Sequence, residues 1–227
     1  MNGALIPHAP LLLEEAAPDR EALRVVLEAI AAIAIPEDAI VVIATPHGGG
    51  AFVYGETHGS LGGFGIGGVE VDIQATVPEP LRAWGAMEDR ALDHGALVPM
   101  RLLGLSNAVV VSVDGSSSPV EAIEKVAAEQ DVFVVCSAHA SARLTERAPL
   151  PYSFDAVRLD ARFVGDVEQD CAAARHLADD LVAVGGSCSG PTLELFGELF
   201  SGRGSTVSAY AAPFGVGYPV VIADRDA

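Results

Sequence analysis

Six histidines occur in the chain, and four of them share one kind of position. His8 follows the short apolar run of ALIPHAP, His47 follows VVIATP, and His139 follows VFVVCSA. His94 lies in an Asp-His-Gly sequence that reads as a tight turn. Neutral imidazole is the commonest side-chain ligand for iron, zinc and similar metals. His8 and His47 are therefore expected to be the first two ligands of a divalent metal. Pro7 and Pro46 stiffen the turns that aim their rings. His58, beside a glycine-rich stretch, and His176, in a segment rich in Ala and Asp, read as ordinary surface or hydrogen-bonded histidines.

Two imidazoles do not complete a catalytic site. A non-haem iron centre adds one carboxylate and keeps open positions. Glu194 is the best-placed acid, in the first turn of an apolar helix that begins after SCSGP. The helix dipole explains an acid there equally well.

The elements that would carry these residues alternate. Gly3 to Ile6 is a short apolar run stopped by Pro7, and Ala39 to Ala44 (AIVVIA) is a buried strand. Asn107 to Val113 and Asp131 to Cys136 have the same character. Pro18 to Ala34 reads as a helix with Leu23, Val26, Leu27 and Ile30 on one face. Helices are also expected over Pro119 to Glu129 with Ser118 as N-cap, over Gly165 to Val184, and over Pro191 to Phe200. Thr206 to Ala211 and Gly217 to Ala223 close the chain as an antiparallel hairpin. Continuous apolar strands imply a sheet covered on both faces, and β-helix-β alternation implies a parallel core. The expected fold is a single three-layer α/β/α domain over residues 1–227. In such a sheet ligands bind at the carboxyl edge of the strands, where these histidines fall.

Gly59 to Gly68 (GSLGGFGIGG) reads as a flexible loop or an irregular hairpin. Its Gly63-x-Gly65-x-x-Gly68 has the letters of a dinucleotide fingerprint. No buried strand leads into it, and the strand-like VEVDIQATV follows, so the match is rejected.

Composition removes several function classes. Half of the residues are hydrophobic and 19% are charged, so the chain folds. Acidic residues outnumber basic ones 31 to 13, for a net charge of −18. That field repels phosphate backbones and anionic lipid, so neither nucleic acid nor a membrane surface is an expected partner. The start MNGALIPHAPLLLEE lacks a basic n-region, and no apolar stretch reaches a membrane span, which makes the cytosol the expected compartment. Cys136, Cys171 and Cys188 are odd in number and form no CxxC pair, so neither a zinc knuckle nor a disulfide framework is expected.

Several blocks resemble a known family. Pro7-His8-Ala9-Pro10, Thr45-Pro46-His47, Asp93 to Leu103 (DHGALVPMRLL) and Ser137-Ala138-His139 are similar, in order and approximate spacing, to the blocks of the class III extradiol ring-cleavage dioxygenases, the LigB-like superfamily. Ala212 to Tyr218 (APFGVGY) looks like the ending of a shorter bacterial branch of that superfamily. Memo-type proteins are relatives with a similar fold and metal pocket.

The resemblance implies that His8, His47 and Glu194 hold Fe(II), with Zn or Mn as alternatives. It implies that His139 is an acid/base near the metal and that His94, with Asp93 beside it, hydrogen-bonds substrate or bound oxygen. The implied substrates are a catechol-type aromatic diol and O2. Metal binding lowers the pKa of a catechol hydroxyl, and a nearby histidine takes the second proton.

The chain is short for that family. Arg143 and Arg147 could offer charge to a substrate carboxylate or could be surface residues. A Memo-like metal protein without ring cleavage is the alternative reading. An assembly subunit without metal and a zinc hydrolase rank below it, the latter because neither HExxH nor GxSxG occurs. A homodimer is expected on general grounds.

Overall fold

Runs of Val, Ile and Ala without polar alternation form the middle of the sheet, because both of their faces are covered. The structure is a computed structural model that describes residues 1–14, 16, 20–47, 49–88 and 91–223. In chain order the strands are β1 (Asn2–Ile6), β2 (Ile40–Thr45), β3 (Phe52–Tyr54), β4 (Glu56–Ser60), β5 (Glu70–Gln74), β6 (Ala86–Met87), β7 (Val109–Ser112), β8 (Val132–Ser137), β9 (Ser205–Ala211) and β10 (Tyr218–Ala223). The helices are α1 (Arg24–Ala31), α2 (Glu79–Trp84), α3 (His94–Leu103), α4 (Val120–Ala127), α5 (Phe154–Gln169), α6 (Ala172–His176), α7 (Ala178–Ala183) and α8 (Gly190–Leu199).

The main sheet runs β6-β3-β7-β2-β8-β1-β10-β9. β7, β2, β8 and β1 are mutually parallel, and β9 and β10 form the expected antiparallel hairpin on the β1 edge. Alternate residues feed opposite faces. Leu5, Val42 and Val134 enter one core with α2, α4, α5, α6, α7 and α8. Ala4, Ile6, Ile43 and Val135 enter the other with α1 and α3. The result is the expected three-layer domain with a mostly parallel centre.

Register matters most for the site. Ile6 pairs with Ser137, and Ala44 pairs with Cys136. The carboxyl ends of β1, β8 and β2 therefore lie side by side, and the chain leaves each of them into a histidine.

Several elements differ from the sequence reading. The single helix over 165–184 is three pieces. α5 starts earlier, where the Ser153 hydroxyl accepts from Ala156 N, and ends at Asp170, which is extended. The Asp170 carboxylate accepts from Ala172 N (2.8 Å) and Gly202 N (3.0 Å), so it restarts the chain as α6 instead of prolonging α5. The helix expected from Pro18 is a 3-10 turn at Glu21–Leu23 followed by α1, with Val26 and Ile30 buried; positions 17–19 lie outside the described residues. Gly59 to Gly68 is the end of β4 and the turn of a separate two-stranded sheet, β4–β5, with His58 opposite Asp72. His94 is not in a tight turn but is the first residue of α3. Among the described residues no helix is long and apolar enough to cross a membrane.

Candidate metal centre

Three histidines come directly from the strand ends. His8 follows β1 and is 2% exposed. His47 follows β2, and its Nε2 lies 3.0 Å from Nε2 of His8. Two Nε2 atoms that close either share a proton or share a cation. Nδ1 of His8 is buried with no hydrogen-bonding partner, so nothing on that side of the ring fixes which nitrogen carries the proton.

His139 follows β8, and its tautomer is set by the backbone. Its Nδ1–H donates to the Ala140 carbonyl at 2.8 Å, which leaves a lone pair on Nε2. That Nε2 faces Cys188 Sγ at 3.0 Å. The sulfur also lies 3.6 Å from Nε2 of His8 and 3.6 Å from Nε2 of His47. Three serines and threonines fix the turn that carries Cys188. Ser189 Oγ accepts from His139 N (3.0 Å), Ser187 Oγ donates to the His139 carbonyl (2.8 Å), and Thr192 Oγ1 donates to the Ser137 carbonyl (2.8 Å). The turn before α8 is thereby clipped onto the end of β8.

His94 arrives from a helix start. Asp93 is the N-cap of α3: its carboxylate accepts from Ala96 N (3.3 Å) and from the Thr45 hydroxyl at the end of β2 (2.7 Å). The His94 ring stacks on His47 with centroids 4.4 Å apart at 26°. Gly95 is required between them. A Cβ there would lie 2.3 Å from Thr45 Oγ1 and 3.0 Å from His47 Cδ2. Asp93 thus positions His94 and the β2 end, and among the described residues no donor group with the histidines includes it.

Electrostatics keep these rings neutral. Burial lowers the pKa of His8 well below the usual value, and the charges of His139, His47 and His94 lower it further. Burial lowers His47 and His94 as well, against an opposing pull from Asp93. Burial pushes His139 down to about 4 despite its bond to the Ala140 carbonyl. Burial raises the Cys188 thiol. An imidazolium–thiolate nucleophile needs the opposite shifts, so a cysteine-hydrolase reading of the His139–Cys188 contact is disfavoured. Neutral imidazoles grouped around a thiol are instead a donor set for a soft or borderline cation.

Among the described residues, two overlapping groups of donors could hold a metal ion: His8 with His47 and His94, and His8 with His139 and Cys188. The distances fit. Tetrahedral zinc with Zn–N of ~2.0–2.1 Å and Zn–S of ~2.3 Å separates nitrogens by roughly 3.3 Å and nitrogen from sulfur by roughly 3.6 Å.

Glu194 is not brought to this cluster. It is half-buried on α8 and lines a small cavity with Val113, Gly115, Ser118, Pro191 and Glu198. One turn along, Glu198 accepts from the Ser118 hydroxyl at the start of α4 (3.2 Å), and among the described residues no donor group joins Glu194 to the histidines. The residue of this region that reaches them is Cys188, before the helix. Sequence reasoning missed it because its partner His8 is 180 positions away. The Gly-Gly-Ser-Cys-Ser-Gly turn before an apolar helix was the available signal. His58 pairs with Asp72 at 2.8 Å on the β4–β5 hairpin, and His176 is exposed at the end of α6; neither joins the cluster. Nε of Arg143 is buried without a partner beside Gly186, and Arg147 is exposed.

No family model matches this chain. No curated protein matches it either. Among solved structures it is similar to the crystal structure of the uncharacterized protein JW3007 from Escherichia coli K12. The identity is 16% over 98% of this chain and 99% of that one, with a TM-score of 0.58. At that identity the likeness is one of fold.

Proposed function

We propose that the protein binds one transition-metal ion through His8, His47 and Cys188, and that it resembles the Memo-type metal proteins more than the ring-cleaving dioxygenases. One observation carries the reading: the Nε2 atoms of His8 and His47 and the sulfur of Cys188 lie within 3.0–3.6 Å of one another. A thiolate with imidazoles favours zinc or a late first-row ion over manganese, which prefers oxygen donors. Among the described residues the donor groups include no carboxylate, so they lack that of an iron facial triad. When bound, such an ion supplies Lewis acidity toward a small oxygen ligand.

The chain's own residues have definable parts. His139 Nε2, with its lone pair toward the sulfur, stays neutral and orients the Cys188 thiol, whose proton is released to solvent when the sulfur becomes a ligand. His94 buttresses the His47 ring, and Asp93 holds His94 at the helix start.

Ring cleavage of a catechol-type diol with O2 is the second reading. It is favoured by the two further neutral histidines, His94 and His139, beside the ligands. The two readings separate on protein purified without oxygen. About one metal ion per chain is expected by elemental analysis, lost in His47→Ala, with no oxygen uptake on addition of catechols. Oxygen consumption with a yellow ring-opened product would establish the second reading, and a metal-free wild type would remove both.

A further inference from the structure

The glycine-rich hairpin reaches the histidine cluster through one ring, that of Phe64 against His94. Its base is fixed. Leu92 N donates to the His58 carbonyl at 3.1 Å, immediately before the N-cap of α3. Gly59 approaches so closely that a Cβ would lie 2.3 Å from Leu97 Cδ2 on α3. Leu61 and Val69 are buried in the α1–α3 core. The tip is different. It is one turn of 3-10 helix closed by Gly65 at φ 76°, and Gly63, Gly65, Gly67 and Gly68 have open space around them. Of the two large side chains at this tip, Ile66 is buried with the α1–α3 core, and Phe64 is 57% exposed. It does not turn inward with Leu61. Its ring stands over His94, with centroids 4.9 Å apart at 59°. An exposed aromatic ring held by a glycine-flanked turn against a histidine of the cluster gains little by burial where it stands. It gains when a second flat surface enters beside it.

We infer that Phe64 is the ligand-contacting, specificity-determining residue of this metal pocket, and that it selects a metal-binding ligand with a flat apolar face over one of the same head group without it. This rests on the metal reading of the preceding section. Phe64 makes the outer wall of the pocket, the donors make its floor, and the fixed hairpin base keeps the ring in place over His94.

Two hydroxamates test it, because benzohydroxamate and acetohydroxamate share a chelating head and differ in phenyl against methyl. Zinc-loaded wild type, Phe64→Ala and Phe64→Trp are titrated calorimetrically with each, and zinc content is measured on the same samples. An aromatic contact corresponds to about a threefold to tenfold change in Kd. Phe64→Ala is therefore expected to weaken benzohydroxamate by that factor and acetohydroxamate by less than about twofold. Phe64→Trp restores the preference, and zinc content stays at the wild-type level. Equal losses for both probes, or no loss for either, overturn the inference.

If wild type takes up no zinc, the metal reading fails separately. Saturation transfer from metal-free protein to the phenyl protons of benzohydroxamate then decides for Phe64. A signal that falls in Phe64→Ala supports the role, and one that does not change overturns it.

Discussion

The strand-end side of the pocket and the hairpin side are built by opposite means. His8, His47 and His139 leave three adjacent parallel strands whose ends are in register, and Cys188 is clipped to one of them by Ser187, Ser189 and Thr192. The hairpin side ends in a turn with five glycines between residues 62 and 68, and a single exposed ring. The donors sit where the backbone is already fixed by the sheet, so little reorganisation accompanies metal binding. The ring sits where the chain has room to adjust, as suits a residue that meets ligands of differing shape. If this contrast is right, changes at the floor should alter metal content and stability, and changes at the wall should alter ligand preference only.

The largest effect is expected at the floor. Cys188→Ser should weaken metal binding by more than the ~10–100-fold typical of losing a supporting hydrogen bond. Glu194→Gln should leave it unchanged, because that side chain lines a cavity beside the start of α4 and joins no donor group among the described residues. Competition with a chromophoric chelator reads both. The reverse ranking would restore the carboxylate centre expected from the sequence.

Next comes pH. His8, His47, His94 and His139 all have lowered pKa values in the fold, with His139 at about 4. The unfolded chain therefore takes up protons first as pH falls. Stability is fully present above the unfolded value of 6.5 and is lost from there down through the folded value of about 4. Urea midpoints of metal-free protein should fall over that window, and His139→Asn should flatten the dependence. A flat wild-type profile would mean that the rings are not held neutral by burial.

Smaller effects concern the start of α3. Gly95→Ala places a methyl 2.3 Å from Thr45 Oγ1 and should cost about 1–3 kcal/mol by crowding. Asp93→Ala loses a cap and the acceptor for the Thr45 hydroxyl, about 1 kcal/mol. Phe64→Ala, at an exposed position, should stay within about 0.5 kcal/mol of wild type. Denaturant unfolding of the three variants checks the order. A large loss for Phe64→Ala would make the ring a structural residue and erase the contrast between the two sides.

Much of the sheet was legible in the sequence because its signals are local. AIVVIA and DVFVVC are apolar without alternation, and both are central strands. The addresses of His8, His47 and His139 followed from the strands that precede them. What failed depended on contacts distant in sequence. The 165–184 region looked continuously helical, yet Asp170 bonds to Gly202 and breaks it. Asp-His-Gly looked like a turn, but its aspartate caps a helix because Thr45, 48 positions earlier, holds the same carboxylate. Glu194 had the right type and the right helix, but it lines a cavity beside the start of α4 and joins no donor group among the described residues. Cys188 had no local partner to announce it, and only the register of β1, β2 and β8 brings its sulfur to the histidines.

The central claim is that sulfur replaces a carboxylate at this site. X-ray absorption at the edge of the bound metal reads it most directly. The account predicts one sulfur at about 2.3 Å together with nitrogens at about 2.0 Å, with the sulfur absent in Cys188→Ser. A shell of nitrogen and oxygen only, unchanged in Cys188→Ser, would contradict it.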